Sequence, residues 1–329
     1  MPNLVEAIRE KTITNTLGLK SFHKVFSTLW KSQIVSLITG PSGKYEDKRI
    51  FNLGDQLSSI FLSSRGTGKG GHATTSSVNS MFVNAGNSWE CLLNWYLNLC
   101  LAGTRAVSIK YTNKLIPQSI KDSLTVNYGT HNSSSETDLI VLVFPDKPEY
   151  TTIDYKRLRL TGGGLTTFPS SKGRLPGLQK LLDTLGERDF EDFEVGIIQC
   201  KTNWNDLAQI PMLWDMIYAS RIFARTSGIT VGTCGKHIKD LAAFSYSYVT
   251  VPTNHHGTYN PNKLCVKRVQ NLSGGNYWGH PSRDKIAHSF KEILNKNFIN
   301  SYPPRTSVIS HISTSVIPNL NGCYKYFNI

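Results

Sequence analysis

Gln199 and Lys201 stand two residues apart at the end of the apolar run Val195-Gly196-Ile197-Ile198. On a strand, residues two apart share a face, so an amide and an ammonium would point the same way. A lysine closing a buried strand is costly unless something anionic meets it. A phosphate and its metal ions are such a partner. A second apolar run, Leu139–Phe144, opens on Asp138. An acid, an amide and an amine on neighbouring strand ends are what metal-dependent hydrolysis of a phosphodiester requires.

The elements that must position these groups are legible from periodicity. Residues 4–35 carry apolar positions at roughly helical spacing. A helix is expected from about Asn87 to Ala102, with Trp89, Leu92, Leu93, Tyr96, Leu97 and Cys100 as its apolar stripe. Strands are expected at Val107–Tyr111, Leu139–Phe144, Tyr150–Leu160, Val195–Cys200, Ile229–Val231 and Ala243–Val251. Short and long helices are expected at Leu178–Leu185, Asp206–Thr226 and Pro281–Asn300. Tyr128–Glu136, Thr161–Gly177 and Asn271–Ser282 read as loops from their Ser, Gly and Pro content. The expected fold is mixed α/β: a central sheet flanked by helices, with a helical N-terminal part and β-rich insertions. Three regions follow: 1–80, helical with a basic glycine loop; 81–228, the core with an insertion at about 145–193; and 229–329, a β-rich elaboration packed on it.

The 329 residues carry 36 Lys and Arg against 23 Asp and Glu, a formal net charge of +13. That surplus suits a polyanion, nucleic acid before an anionic membrane. Six cysteines without a CxxC pair exclude zinc-finger spacing and argue against a disulfide framework. No apolar run reaches the ~18 residues of a membrane span, and the N-terminus lacks the pattern of a signal peptide. A reduced, cytoplasmic setting is expected.

The order helix with Glu90, strand, strand opening on Asp138, strand ending Gln199-x-Lys201, then a long helix resembles the PD-(D/E)XK nuclease superfamily. That group includes many type II restriction endonucleases and transposon end-cleaving subunits. The resemblance covers about Asn87 to Thr226. Thr137–Phe144 matches the strand presenting the family aspartate, and Gly196–Lys201 the strand bearing the second acidic position and the lysine. Glutamine stands here for that acid, which raises the need for another carboxylate, and Glu90 is the candidate. The resemblance implies Mg²⁺ as cofactor. Asp138 and the Gln199 amide oxygen would supply two ligands and the Cys200 backbone carbonyl a third. Lys201 would orient the attacking water and offset charge on the phosphorane. A rival set, Asp146 with Asp154 and Lys156, spells the motif more literally. Its first acid sits in a Pro-flanked turn, and its strand is polar and edge-like.

Arg65 and Lys69, in a glycine loop without P-loop spacing, together with Lys172, Arg174, Lys236, Lys239, Lys267, Arg268 and Arg283, are candidate phosphate contacts. Asn276 and Tyr277, in a Gly/aromatic loop, are candidates for reading bases. His255, His256 and His280 lack paired acids at useful spacing for a metal. The expectation is therefore a cytoplasmic, Mg²⁺-dependent, site-specific endonuclease acting on double-stranded DNA, with a homodimer suiting a palindromic site. The alternatives are a non-catalytic nucleic-acid-binding protein with a decayed site, and a nuclease subunit of a transposition or repair complex.

Overall fold

The computed structural model describes residues 2–19, 22, 30–64, 75–111, 114–133, 137–161, 164–167, 177–202, 209–220, 228–251, 262–278 and 290–327. The side chains of 30–32, 75–85, 161, 164–167, 209 and 210 are not described. The strands run in chain order: β1 (Ala106–Lys110), β2 (Val126–Tyr128), β3 (His131–Ser133), β4 (Leu139–Val143), β5 (Leu158–Thr161), β6 (Gly164–Thr167), β7 (Glu194–Lys201), β8 (Ile229–Val231), β9 (Ala243–Thr250) and β10 (Gly275–Tyr277). Five of them form the central sheet in the order β1-β4-β7-β9-β10. β1, β4 and β7 pair antiparallel, whereas β7, β9 and β10 pair in parallel. Parallel neighbours need a crossover. The helix Gln209–Ala219 lies on the connection from β7 to β9, and the helix Leu264–Val269 on that from β9 to β10.

Helices cover both faces of this sheet, which is why its inner strands read as unbroken apolar runs. On β4, Leu139, Val141 and Val143 enter one core together with Ile198, Cys200 and Val249. The helix Thr75–Leu101 fills that core with Trp89, Leu92, Leu93, Tyr96 and Leu97. Ile140 and Leu142 enter the opposite core with Val195, Ile197, Tyr246 and Tyr248. The helices Gln118–Leu124, Leu178–Arg188, Gln209–Ala219 and Leu264–Val269 close that side through residues such as Ile120, Leu181, Trp214 and Val266.

The free edge of β1 is closed by side chains. Asn98, fully buried on the Thr75–Leu101 helix, donates to the Ser108 carbonyl (2.7 Å) and accepts from the Ser108 amide (3.1 Å). Arg9, also fully buried, donates to the carbonyls of Thr104 and Ala106, each at 2.9 Å. These bonds take the place of a sixth strand along Ala106 and Ser108.

Several boundaries differ from expectation for identifiable reasons. The strand expected over Tyr150–Leu160 begins only at Leu158. Pro148 starts a helical turn there, and Asp154 caps a 3₁₀ turn by accepting from the Lys156 amide at 3.0 Å. The expected loop Tyr128–Glu136 contains β3, which pairs with β2 around Gly129 at φ 63°. The N-terminal helix spans Leu4–Leu17 and ends at Gly18. The C-terminal third is not simply β-rich: β9 and β10 belong to the central sheet, and from Phe290 onward the chain is helical or turning. No helix among the described residues is long and apolar enough to cross a membrane.

Candidate functional site

Asp138 and the Gln199-x-Lys201 pair come together at one end of the central sheet. The last paired position between β4 and β7 is Leu139 with Ile198. One more step of that register sets Asp138 opposite Gln199, and facing residues of an antiparallel pair share a face. Lys201 follows two residues later on the same face. β4 carries no further paired residue here, so the Cys200 amide, which points toward β4, has lost its ladder partner. It donates instead to Asp138 Oδ2 at 2.7 Å. The Cys200 carbonyl points to that same side, because the Lys201 carbonyl faces β9, where it accepts from the Val251 amide at 3.0 Å.

Burial pushes the Asp138 carboxyl up to about 6. Lys201, the Cys200 amide and Lys110 pull against that rise, and Glu90 adds to it. Lys201 is therefore within Coulombic reach of Asp138, although no ion pair closes between them among the described residues. Burial also raises the Cys200 thiol well above its ordinary value, so it is neutral beside these charges.

Gln199 departs from the expected arrangement. It is fully buried, and its Oε1 accepts a hydrogen bond from the Tyr246 hydroxyl at 3.0 Å. Its Nε2 has no hydrogen-bond partner among the described residues. As placed, the amide offers the site a donor, and its oxygen is held by β9. An amide turned over about its last bond exchanges those two roles with little change in shape.

Glu90 reaches the same sheet end from the other face, on the Thr75–Leu101 helix. Its Oε2 contacts Lys110 Nζ at 2.7 Å, and Asn87, one helical turn earlier, accepts from the same ammonium at 2.6 Å. Burial works to lower the Lys110 pKa, but the charge and hydrogen bond of Glu90 outweigh it and hold that ammonium above its ordinary value. Lys110 was missed in reading the sequence. Its signal was the one used for Lys201, a lysine ending an apolar strand (Ala106–Lys110), with Asn87 and Glu90 spaced i, i+3 to receive it. Tyr246 carries no such signal, since its partnership with Gln199 depends on the pairing of β7 with β9.

The rival acids do not join this cluster. Asp146 follows the far end of β4 and lines a cavity of about 440 Å³ with Asn3, Glu6 and Arg105. Asp154 caps the Tyr155–Arg157 turn, and Lys156 is exposed, so neither lies on a strand. Asn276 and Tyr277 are fully buried in β10, where Asn276 Nδ2 donates to the Val269 carbonyl at 3.2 Å and the Tyr277 ring meets Phe290. A loop reading of those two residues is thus corrected: a strand at the sheet edge turns both inward. Lys236 is paired with Glu187 at 2.6 Å, and Lys239 lies 3.9 Å from Asp240. Lys267 and Arg268 occupy the last turn of the Leu264–Val269 helix. Arg65, Lys69, Lys172, Arg174, Arg283, His255, His256 and His280 lie outside the described residues.

No group of three or more His, Cys, Asp or Glu side chains able to hold a metal comes together among the described residues. Mg²⁺ does not need one. It is bound through one or two carboxylates, carbonyl oxygens and retained waters. The Asp138 carboxylate and the Cys200 carbonyl, on one side of β7, make an oxygen-only set that fits it. No protein-family sequence model matches the chain, and no curated protein matches it in sequence.

Proposed function

We propose that this chain is a Mg²⁺-dependent endonuclease that hydrolyses phosphodiester bonds in double-stranded DNA, of the site-specific restriction type. The observation that carries the reading is the meeting of Asp138 with Gln199 and Lys201 on one face of β4 and β7, with the Cys200 amide bonded to Asp138. The order that underlies the resemblance to PD-(D/E)XK nucleases supports it further: helix, strand, Asp138 strand, Gln-x-Lys strand and helix form one continuous sheet with its covering helices. The net charge of +13 supports a polyanionic substrate. Such an enzyme would work in the cytoplasm, as a homodimer on a palindromic site.

When bound, a divalent ion supplies Lewis acidity and a nucleophilic water at neutral pH. Asp138 and the Cys200 carbonyl would hold it. The Cys200 amide fixes the Asp138 carboxylate in place. Lys201 presents an ammonium on the same face, where it offsets charge building on the phosphoryl oxygens and orients the attacking water. Gln199, tied back by Tyr246, presents its amide beside them.

The test is incubation of the purified chain with phage DNA and Mg²⁺. Discrete fragments are expected. Lys201→Ala and Asp138→Ala should each abolish cutting while DNA binding persists, and Asp154→Ala should cut normally. Full activity of Lys201→Ala would sink the proposal. The second reading, a DNA-binding protein with a decayed site, is favoured by the Tyr246 hydrogen bond that occupies the Gln199 oxygen. It would be supported by a salt-dependent gel shift with no nicking in Mg²⁺ or Mn²⁺.

A further inference from the structure

We propose that Lys110 is a built-in counter-ion for Glu90, occupying the position of a second cation and holding the site to one divalent ion per chain. The inference rests on the endonuclease reading of Asp138 and Lys201. It concerns what the other half of the charge cluster does.

Two carboxylates and two ammonium groups converge where β1, β4 and β7 end. Asp138 lies at the mouth of β4, Lys201 at the end of β7, Lys110 at the end of β1, and Glu90 on the helix packed over them. Their formal charges cancel. The two halves are wired differently. Asp138 is bonded to a backbone amide and makes no ion pair among the described residues. Glu90 is in direct contact with Lys110, and both side chains are largely buried, 16% and 22% exposed. Asn87 adds its oxygen to the same ammonium at 2.6 Å. Glu90 Oε2 and Asn87 Oδ1, the oxygens that the helix side of this sheet end would offer a second metal ion, are therefore both engaged by Lys110.

Asp138 also lies within Coulombic reach of that ammonium but makes no ion pair with it among the described residues. The nearby thiols of Cys91 and Cys200 are both buried. Lys110 cannot swing away cheaply, because withdrawing it would leave Glu90 buried without a partner. Among the described residues, the Asp138 carboxylate and the Cys200 carbonyl are left to bind a metal, enough for one ion that keeps its waters.

Mn²⁺ titration by calorimetry, with electron paramagnetic resonance to count bound ions, decides this on the full chain without DNA. Wild type should bind one Mn²⁺. Lys110→Met, which keeps the stem and removes the charge, should bind a second ion or bind the one ion at least tenfold tighter. Lys110→Arg should behave as wild type. Two ions in wild type, or a Lys110→Met variant matching wild type in number and within twofold in affinity, would overturn the proposal. Should Lys110→Met lose its fold by circular dichroism, Glu90→Gln carries the test. It should leave one ion and an affinity within threefold of wild type, and a tenfold loss would mean that Glu90 is a ligand and the proposal wrong. A wild type that binds one Mn²⁺ yet never cuts DNA strikes the endonuclease reading and leaves the counter-ion role standing. Cutting with unchanged Lys110→Met binding does the reverse.

Discussion

Asp138 is held where its own charge is unwelcome. Burial raises the carboxyl to about 6, despite the opposing pull of Lys201, the Cys200 amide and Lys110. An unfolded aspartate titrates near 3.9. Below that pH both states hold the proton, and the group does not affect folding. Between there and about 6 the folded state keeps a proton that the unfolded state has lost, so stability falls as pH rises through this window. Above it the full penalty, on the order of 3 kcal/mol, is present. On the endonuclease reading, a bound cation would offset that cost. Asp138→Asn keeps an acceptor for the Cys200 amide and never ionises. It should therefore melt a few degrees higher than wild type at pH 8, match it near pH 4, and cut no DNA. Thermal scans at the two pH values check this, and equal melting at pH 8 would refute the buried-charge account. Cleavage by the wild type should rise from pH 5 to 7 as Asp138 loses its proton. The residues of this half of the site were legible because each ends or begins a strand with the wrong polarity for its run. Lys110 ends its strand with the same signal as Lys201, but its pairing with Glu90 depends on the helix that the fold packs over β1. Tyr246 carries no signal, because its role depends on the pairing of β7 with β9.

The elements were legible to the extent that they are buried. β4, β7 and β9 are covered on both faces and announce themselves as apolar runs. β2, β3 and β5 lie outside the central sheet and read as loop or slip by several residues, since propensity there yields to turn chemistry such as Pro148 and Gly129. The bracing of β1 was likewise invisible, because it runs through side chains distant in sequence. Asn98 satisfies both the amide and the carbonyl of Ser108, two residues before Lys110. Asn98→Ala would orphan these two buried backbone groups and should cost about 3 kcal/mol. Denaturant unfolding measures that loss. The same substitution should lower metal-supported cutting more than DNA binding, because β1 carries the lysine that balances Glu90. A loss under 0.5 kcal/mol would mean that β1 is held by packing alone.

At the scale of the whole molecule, 36 cationic side chains stand against 23 acidic ones, and the proposed DNA substrate would draw on that surplus. Several of the cations are already spent within the fold. Lys147 bridges Asp189 and Asp192, Arg188 joins Glu149 and Asp189, Lys236 meets Glu187, and Lys291 meets Asp55. Those pairs neutralise themselves and add nothing to the attraction of a polyanion. The net charge of +13 remains after every acid is counted, and on the endonuclease reading it is what would meet phosphates. Each phosphate neutralised releases condensed counterions, so the logarithm of affinity falls linearly with the logarithm of salt. An enzyme that grips a duplex over a recognition site makes about six or more such contacts, which amounts to a loss of about 10³ in affinity between 50 and 200 mM salt. Fluorescence anisotropy on a duplex, with Ca²⁺ in place of Mg²⁺ to prevent cutting, measures the slope. A slope shallower than about −2 would mean that the positive charge is dispersed over the surface rather than gathered where DNA lies, and the substrate assignment would fall. A steep slope that Lys201→Ala leaves nearly unchanged, alongside lost cleavage, would separate the charges that hold the duplex from the one that serves the reaction.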